Sequence, residues 1–274
     1  MQNKLAIGFI GGGNMASALI GGVSASMGEH LSLHVVDINQ ATLTRLETEY
    51  SLTTALQVDQ RLAQMDVIVL AVKPQQFRDA LESLRPFLNQ QLLISIAAGI
   101  RAVDMQRWLG GYGKIVRTMP NTPALVNQGM TGLFALDAVS QSEREYAEKI
   151  MAAVGQTLWL QQEHLLDAVT AISGSGPAYV FYFIEAMQQA GLELGLDEAA
   201  ARRLALATFQ GAAGLAVHAS EDVSVLRERV TSKGGTTYAA LTHLQNHQVG
   251  NTIIAAIHAA AERGRQLGEE FGQQ

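Results

Sequence analysis

The sequence predicts an α/β protein in which an N-terminal, doubly wound parallel sheet is followed by an all-helical C-terminal domain. Through about residue 162, short β-type runs alternate with helical stretches, a pattern typical of doubly wound sheets. Beyond Glu163, the residues Ala, Leu, Glu, Gln and Arg dominate, Pro177 is the only proline and no clear strand is evident. We therefore expect two domains, at residues 1–162 and 163–274.

The predicted sheet contains five buried strands and two further β-type pieces. Short, mainly apolar runs of four to six residues indicate strands that are covered on both faces, and they lie at residues 5–10, 31–36, 67–71, 92–96 and 115–118. The two further pieces, 132–136 and 157–160, bracket a helical stretch that opens with Ser140 and has Glu143 three residues later. This spacing predicts a capping box at the start of that helix.

The C-terminal half is predicted to be a set of amphipathic and apolar helices. Their expected positions are 178–194, 198–219 with Asp197 as N-cap, 222–230, 236–245 and 250–267. The runs 204–207 and 253–257 are apolar over more than one helix face. Such helices need covering from two sides, so we expect a homo-oligomer with helices packed between subunits.

A glycine-rich turn directly follows the first predicted strand. Residues 11–16 read Gly-Gly-Gly-Asn-Met-Ala, which matches the dinucleotide-binding fingerprint G-x-G-x-x-A. In that fingerprint Gly11 allows the tight turn, Gly13 lets the backbone approach a pyrophosphate, and Ala16 lets the helix pack on the strand. The second apolar run ends in Asp37, whose carboxylate is placed to hold a ribose hydroxyl. The predicted cofactor-binding residues here are Gly11, Gly13, Asn14, Met15 and Asp37.

Three further loops follow predicted strands, at the edge where open α/β sheets bind ligands. Lys73 either faces the cofactor or caps the sheet, and the small residues before Gly99 either admit a flat ring or form a tight turn. The segment 117–124 has two prolines and forms either a rigid wall of the site or an ordinary connection. The predicted cofactor-binding residues in these loops are Ala71, Val72, Lys73, Pro74, Ala97, Ala98, Gly99, Pro120 and Asn121.

Two Gly-flanked hydroxyl segments in the C-terminal half are candidates for anion binding. Residues 173–177 read Ser-Gly-Ser-Gly-Pro, and residues 231–237 read Thr-Ser-Lys-Gly-Gly-Thr-Thr. Each precedes a predicted helix, and the free N–H groups at a helix start can hold a carboxylate.

Taken together, these motifs resemble those of the pyrroline-5-carboxylate reductase family. The matching segments are Gly11-Gly12-Gly13-Asn14-Met15, Ala71-Val72-Lys73-Pro74, Met119-Pro120-Asn121-Thr122-Pro123, Ser173-Gly174-Ser175-Gly176-Pro177-Ala178-Tyr179 and Ser232-Lys233-Gly234-Gly235-Thr236-Thr237. The match runs nearly end to end, and the last two segments discriminate best. The resemblance implies a Rossmann domain with a helical dimerisation domain that forms an intertwined dimer, often assembled further. It also implies reduction of the cyclic imine of pyrroline-5-carboxylate to L-proline by a nicotinamide cofactor, the last step of proline synthesis.

By similarity, the resemblance also assigns the site in the C-terminal half. Ser232 and the backbone N–H groups around Gly234, Gly235 and Thr236 would hold the substrate carboxylate. Thr237 would place its hydroxyl near the ring nitrogen.

The choice of cofactor stays open at this point. The resemblance favours NADPH, since members of the family often use it. NADH is the other candidate, because Asp37 would repel the 2′-phosphate of NADPH. Arg45 is the nearest basic residue and is either a phosphate partner or a solvated helix residue. Lys233 stands where many relatives have proline, which makes the loop less rigid and adds a positive charge.

Composition and spacing exclude several other functions. A net charge of −6 and 6% aromatic residues give no basic face or stacking platform for nucleic acid, and no attraction to anionic membranes. The 274-residue chain has no cysteine, which excludes disulfides and thiolate metal sites and fits a cytoplasmic protein. His243 and His247 have a metal-compatible spacing but no third ligand, so we expect no metal.

The alternative functions are another NAD(P)-dependent cyclic-imine oxidoreductase, a β-hydroxyacid oxidoreductase and a non-catalytic nucleotide-binding regulator. β-Hydroxyacid dehydrogenases share the glycine turn but need a lysine acid/base on the first long helix of the second domain, and residues 177–201 contain no Lys or Arg. A non-catalytic nucleotide-binding regulator shares the fold but has no evident need for the segment 231–237.

Overall fold

The computed structural model describes residues 4–273. These residues form two compact units: the first comprises the described residues up to Ser175 and those from Ala260 onward, and the second comprises Gly176–Ala259. Within the described residues, no helix is both long enough and apolar enough to cross a membrane.

The first unit is built on an eight-stranded sheet. Its strands are β1 Leu5–Ile10, β2 Leu31–Val36, β3 Thr53–Ala55, β4 Val67–Leu70, β5 Leu92–Ser95, β6 Ile115–Met119, β7 Gly129–Ala135 and β8 Gly155–Trp159. Their order is β3-β2-β1-β4-β5-β6-β7-β8, and all neighbours are parallel except β6 and β7. The order reverses between β1 and β4, which is where open sheets of this kind bind their ligands.

Helices cover both faces of this sheet. They are α1 Asn14–Met27, α2 Gln40–Glu49, α3 Phe77–Leu84, α4 Ala102–Trp108, α5 Gln141–Ala152 and α6 Leu165–Val169. Along β4, Val67 and Val69 join the hydrophobic cluster on one face, whereas Ile68 and Leu70 join the cluster on the other. This double burial is the reason that the parallel strands read as continuous apolar runs.

The second unit is helical. It contains α7 Gly176–Glu193, α8 Glu198–His218, α9 Val223–Arg229, α10 Thr236–Asn246 and the beginning of α11 Val249–Gly272. The side chain of Asp197 accepts a hydrogen bond from the Ala200 N–H at 2.7 Å and so caps α8, as predicted. Helices α7 and α8 approach closely where Gly191 faces Ala201, because a Cβ at Gly191 would lie 2.9 Å from the Ala201 Cβ.

The predicted fold class is confirmed, and three local features differ from the prediction. Strand β3 was not predicted, because it is only three residues long and lies at the sheet edge, where it has no apolar run. Strand β7 begins at Gly129, three residues before the predicted start. Residues 163–175, for which no helix was predicted, contain α6 and a π-helical turn at Thr170–Gly174.

Candidate functional site

The glycine turn after β1 has a geometry that requires glycine at its first position. Gly11 has φ 99°, a left-handed conformation that side chains disfavour. Its N–H donates to the Val36 carbonyl at 2.7 Å. A Cβ at Gly11 would lie 2.6 Å from the Ala71 carbonyl oxygen. The turn therefore brings the loops after β1 and β4 into direct contact.

The start of α1 is an open cradle for an anion. Gly13 is the N-cap, has ordinary extended backbone, and no side chain caps the helix. A Cβ at Gly13 would meet no heavy atom of the described residues within 4 Å. The first intrahelical bond is donated by Ser17, so the N–H groups of Asn14 and Met15 have no partner within the helix. Exposed backbone donors at a helix N-terminus fit the pyrophosphate of a dinucleotide.

Asp37 lies directly beside this turn. Its Oδ2 accepts the Gly12 N–H at 2.6 Å and its Oδ1 accepts the Asn39 N–H at 2.8 Å. The carboxylate is thus fixed by the glycine turn and by the start of α2, and each oxygen keeps a lone pair for a ribose hydroxyl. Ile38, which was not predicted as a site residue, is 81% exposed next to it. In the sequence, Ile38 could have been recognised as a large apolar residue immediately after the acidic Asp37 at the end of a strand.

Arg45, on α2, is hydrogen-bonded to a side chain of α1 next to the glycine turn. Its Nη2 donates to the Ser17 Oγ at 2.8 Å, and its Nη1 donates to Glu49 at 3.1 Å. The Ser17 hydroxyl in turn donates to the Gly12 carbonyl at 3.2 Å. A guanidinium is therefore linked by one side chain to the predicted pyrophosphate turn.

The loops after β4 and β5 form the next part of this edge. Lys73 is exposed and begins a 3₁₀ turn at Pro74; Ala71 and Val72 are half-buried. After β5, the chain turns at Gly99, which has φ 75°, while Ala97 is buried and Ala98 half-buried.

The far end of α11 packs on the Gly99 turn. A Cβ at Gly99 would lie 3.1 Å from the Leu267 Cβ and 3.4 Å from the Phe271 ring. The side chain of Arg107 donates to the Gly272 carbonyl, which places a cation at the C-terminus of the helix. The conformation of a predicted cofactor loop thus depends on residues from the last turns of the chain.

Arg117, on β6, carries a buried positive charge. Its side chain is 5% exposed, and its Nη1 donates to Glu163 Oε1 at 2.9 Å. Glu163 Oε1 also accepts the Ala102 N–H at 2.6 Å, at the start of α4. Asp167 Oδ1 lies 3.9 Å from Arg117 Nη2, and burial raises the pKa of Asp167.

The loop after β6 contains Pro120, which is buried, and Asn121, which is half-buried. The Asn121 side chain is engaged inside the protein: it donates to Ser173 and accepts from the Met130 N–H. In residues 173–177, the Ser175 N–H donates to the Thr170 carbonyl at 2.8 Å, and α7 begins at Gly176. One backbone donor of the segment is thus engaged within the protein, and the anion site at 173–177 stays a prediction.

The segment 231–237 lies in the second unit and forms a tight turn before α10. Gly234 has φ 75°, and the Gly235 N–H donates to the Ser232 carbonyl at 3.0 Å. Gly235 is the N-cap of α10, with no side-chain cap. Thr236 and Thr237 are the first residues of the helix, and the first intrahelical bond is donated by Ala239. The five residues assigned to the substrate thus lie in one turn, in which the N–H groups of Thr236 and Thr237 have no partner within the helix.

Metal binding finds no support in the described part of the chain. No group of three His, Cys, Asp or Glu residues is arranged there to hold an ion. His243 and His247 lie with ring centroids 4.2 Å apart, and the His247 Nδ1 hydrogen-bonds to the His243 carbonyl.

Comparison with known proteins identifies the family. A family model described as pyrroline-5-carboxylate reductase dimerisation matches residues 163–267. A pyrroline-5-carboxylate reductase of Pseudomonas aeruginosa is 42% identical over 97% of this chain and 98% of its own. This chain belongs to the pyrroline-5-carboxylate reductase family. A reductase of the same name from Pasteurella multocida is 41% identical over 99% of this chain and 100% of its own.

Solved structures of pyrroline-5-carboxylate reductases have the same fold. The enzyme from Coxiella burnetii is 38% identical with a TM-score of 0.89, over 97% of this chain and 99% of its own. The enzyme from Plasmodium falciparum, with NADP bound, is 30% identical with a TM-score of 0.85, over 98% of this chain and 100% of its own. Residues 6–99 also match a family model described as NADP oxidoreductase coenzyme F420-dependent.

The resemblance drawn from the motifs is thereby confirmed, and with it the reaction. The chain is an NAD(P)-dependent oxidoreductase of proline biosynthesis that reduces pyrroline-5-carboxylate to proline. Its helical C-terminal region is the dimerisation region of the family.

Proposed function

We propose that the segment 231–237 binds the substrate carboxylate and orients its ring. The observation that carries this proposal is the uncapped start of α10 after the left-handed Gly234. Ser232, with the N–H groups of Gly234 and Thr236, supplies donors for a carboxylate at the positive end of a helix. Gly235, whose N–H donates to the Ser232 carbonyl, closes the turn that places these donors. The neighbouring Lys233 adds a positive charge that attracts the anionic substrate.

Thr237 is proposed to act at the ring nitrogen. When bound, reduced nicotinamide supplies a hydride to the imine carbon. The protonated imine is already a good hydride acceptor, so the chain's task is to fix the carboxylate and the ring at the reacting distance. The Thr237 hydroxyl oxygen accepts the N–H of the protonated imine and holds the ring in that orientation. The proline nitrogen retains this proton after the transfer.

Replacing Thr237 by alanine tests this role. One lost hydrogen bond to a charged group corresponds to about a 10- to 100-fold fall in kcat, with the Kd of NADPH unchanged. The control is Thr252→Ala, because the Thr252 hydroxyl donates to the Gln248 carbonyl at the start of α11 and lies outside the proposed site. Steady-state kinetics and fluorescence titration of NADPH separate the two effects. Equal losses of turnover and cofactor affinity contradict the assignment.

The cofactor is proposed to lie along the carboxyl edge of the first unit. The pyrophosphate binds at Gly11, Gly13, Asn14 and Met15, and the adenosine ribose lies at Asp37. The loops after β4, β5 and β6 flank the ribose and the nicotinamide, through Ala71, Val72, Lys73, Pro74, Ala97, Ala98, Gly99, Pro120 and Asn121.

NADPH is the proposed reductant, and NADH is proposed to be accepted as well. The Plasmodium relative binds NADP, and Arg45 lies one side chain away from the glycine turn. Two backbone N–H groups already bond the Asp37 carboxylate, which reduces its repulsion of a 2′-phosphate. We expect Asp37→Ser to raise the ratio of kcat/KM for NADPH to that for NADH, and Arg45→Ala to lower it. No change of this ratio in either variant would show that other residues select the cofactor.

A homodimer formed through the second unit is proposed, with assembly of dimers into a larger ring as its extension. Within that unit, Phe181, Tyr182, Leu194, Leu215 and Val217 are between 64% and 84% exposed in the single chain. Large apolar side chains clustered on one helical unit are typical of subunit interfaces. Light scattering after size exclusion measures the mass, and a concentration-independent monomer contradicts the proposal.

The proposal also includes the boundary between the two functional domains and the location of the enzyme in the cell. The functional boundary is placed between residues 162 and 163, supported by the start of the dimerisation match at residue 163. The enzyme is placed in the cytoplasm, supported by a sequence without cysteine; fractionation of cells with an antibody to the chain tests this location.

A further inference from the structure

The side chain of Asn121 bridges three segments of the first unit. Its Nδ2 donates to the Ser173 carbonyl at 3.1 Å and lies 3.2 Å from the Ser173 Oγ. Its Oδ1 accepts the Met130 N–H at 2.9 Å, at the start of β7. The loop after β6, the strand β7 and the π-helical turn Thr170–Gly174 are thus joined through one amide group.

The π-helical turn explains why a donor is needed here. A π-helical turn contains one residue more than an α-helical turn, so it interrupts the regular hydrogen-bond ladder. In a regular helix, the Ser173 carbonyl would accept from residue 177, but Pro177 has no N–H. A carbonyl left without a donor in a part-buried position is unfavourable. Asn121 supplies the missing donor.

No other common side chain of this length can replace the amide. Aspartate accepts but does not donate when ionised, and serine is too short to span both partners. Asparagine donates and accepts at once, and the two groups it serves belong to different segments. The carbonyl and hydroxyl of Ser173 both take part, and the Ser173 Oγ also lies 3.5 Å from the Met130 carbonyl.

The bridge fixes the end of β6 against the π-helical turn. A Cβ at Gly174 would lie 2.6 Å from the Met119 Cε, so Met119 and the π-helical turn are in close contact. Next to it, Thr118 donates to the Ser95 carbonyl on β5 at 2.9 Å. The backbone of Pro120 therefore follows the position of this turn.

The geometry points to Asn121 as a positioning residue for the nicotinamide end of the cofactor site. This inference rests on the proposed function, in which the loop after β6 flanks the nicotinamide. The side chain holds the backbone of Pro120 and Asn121 in place and does not itself contact the cofactor. The π-helical turn, which lies in the family's dimerisation region, is the support to which it is anchored.

Asn121→Asp is the sharpest variant, because it keeps the shape and the acceptor for Met130 but removes the donor to Ser173. A shift of about 1 Å at a reacting group lowers rates by up to roughly 100-fold, and we expect kcat to fall between about 10- and 100-fold. Binding of adenosine 2′,5′-bisphosphate, measured by calorimetry, stays unchanged, because that fragment occupies only the adenosine end. Asn127→Asp is the matched control, since Asn127 is exposed six residues further along the chain.

Two further variants keep the inference testable if Asn121→Asp folds poorly. Ser173→Ala removes only the hydroxyl contact and is expected to lower kcat less than Asn121→Ala. Because both act through one bridge, the double variant Asn121→Ala/Ser173→Ala should lower kcat by less than the product of the single effects. The inference would be overturned if the double variant lowered kcat by the full product of the two single effects. It would also be overturned if Asn121→Ala lost NADPH affinity while Ser173→Ala had no effect, because that result indicates a direct cofactor contact. A lower melting temperature with unchanged kcat would also overturn it.

The fluorescence of bound NADPH separates this inference from the proposed function. If Gly13→Ala leaves the Kd of NADPH unchanged, the proposed position of the cofactor fails. In that case, a changed emission of bound NADPH in Asn121→Asp but not in Asn127→Asp still supports the positioning role. An unchanged emission in both variants contradicts it.

Discussion

Removing the carboxylate of Glu163 should destabilise the first unit strongly. In Glu163→Ala, the buried guanidinium of Arg117 loses its partner at 2.9 Å, and the Ala102 N–H loses its acceptor at 2.6 Å. Breaking a buried ion pair from one side costs about 3–5 kcal/mol, and an unpaired buried N–H adds about 1–3 kcal/mol. Asp167, 3.9 Å from Arg117, offsets part of this loss. We therefore expect the free energy of unfolding to fall by about 4 kcal/mol.

Urea unfolding at a fixed protomer concentration measures this change, because the stability of an oligomer depends on concentration. The control is Glu82→Ala, which breaks the exposed pair with Arg78 at 3.2 Å and should change stability by less than about 1 kcal/mol. The double variant Arg117→Met/Glu163→Gln removes both charges and keeps an acceptor for Ala102, so it should recover most of the loss. A loss below about 1 kcal/mol in Glu163→Ala would refute the reasoning. A double variant as unstable as the single one would show that packing, and not charge, sets the effect.

Three further predictions concern the sheet and its helices. Gly11→Ala should lower the free energy of unfolding by about 1–3 kcal/mol, since its Cβ would lie 2.6 Å from the Ala71 carbonyl oxygen at φ 99°. Gly13→Ala should leave the urea midpoint unchanged but weaken NADPH binding. Equal changes of the urea midpoint in the two variants contradict this prediction. Burial lowers the pKa of His34 below 6.5, so the unfolded chain takes up a proton that the folded chain does not. Stability should therefore fall as the pH drops below about 6.5, and the urea midpoint of His34→Asn should depend less on pH in that range. Ser140→Ala removes the capping box of α5 and should cost about 1 kcal/mol in urea unfolding; no change would show that the box is dispensable.

The features that were predicted from the sequence are those that local chemistry determines. The strands β1 and β2 match the predicted bounds, because the last four residues of each are buried and both runs are mainly apolar. The capping box at Ser140 and the cap at Asp197 were recognisable because each depends on residues within three positions. Gly11 was recognisable because only glycine fits its backbone conformation.

The features that were missed depend on residues distant in sequence. The π-helical turn Thr170–Gly174 is hydrogen-bonded to Asn121, about fifty positions earlier. No local sequence pattern predicts this turn. The loop position of Asn121 is visible in the sequence, whereas its hydrogen-bond partners Ser173 and Met130 are not. Likewise, Arg45 was recognised as the nearest base, but its contact with Ser17 across 28 positions required the packed structure.

The proposed cofactor edge of the first unit is assembled from both ends of the chain. Its glycine turn comes from the first fifteen residues, but the turn at Gly99 is covered by Leu267 and Phe271, and the start of α4 is held by Glu163. The family's dimerisation match, residues 163–267, includes Leu267 and Glu163. A boundary drawn from composition after residue 162 therefore separates the cofactor loops from side chains that fix their conformation. The sequence predicts which loops bind the cofactor, while the packing shows that Glu163, Leu267 and Phe271 contact two of the segments that form this edge.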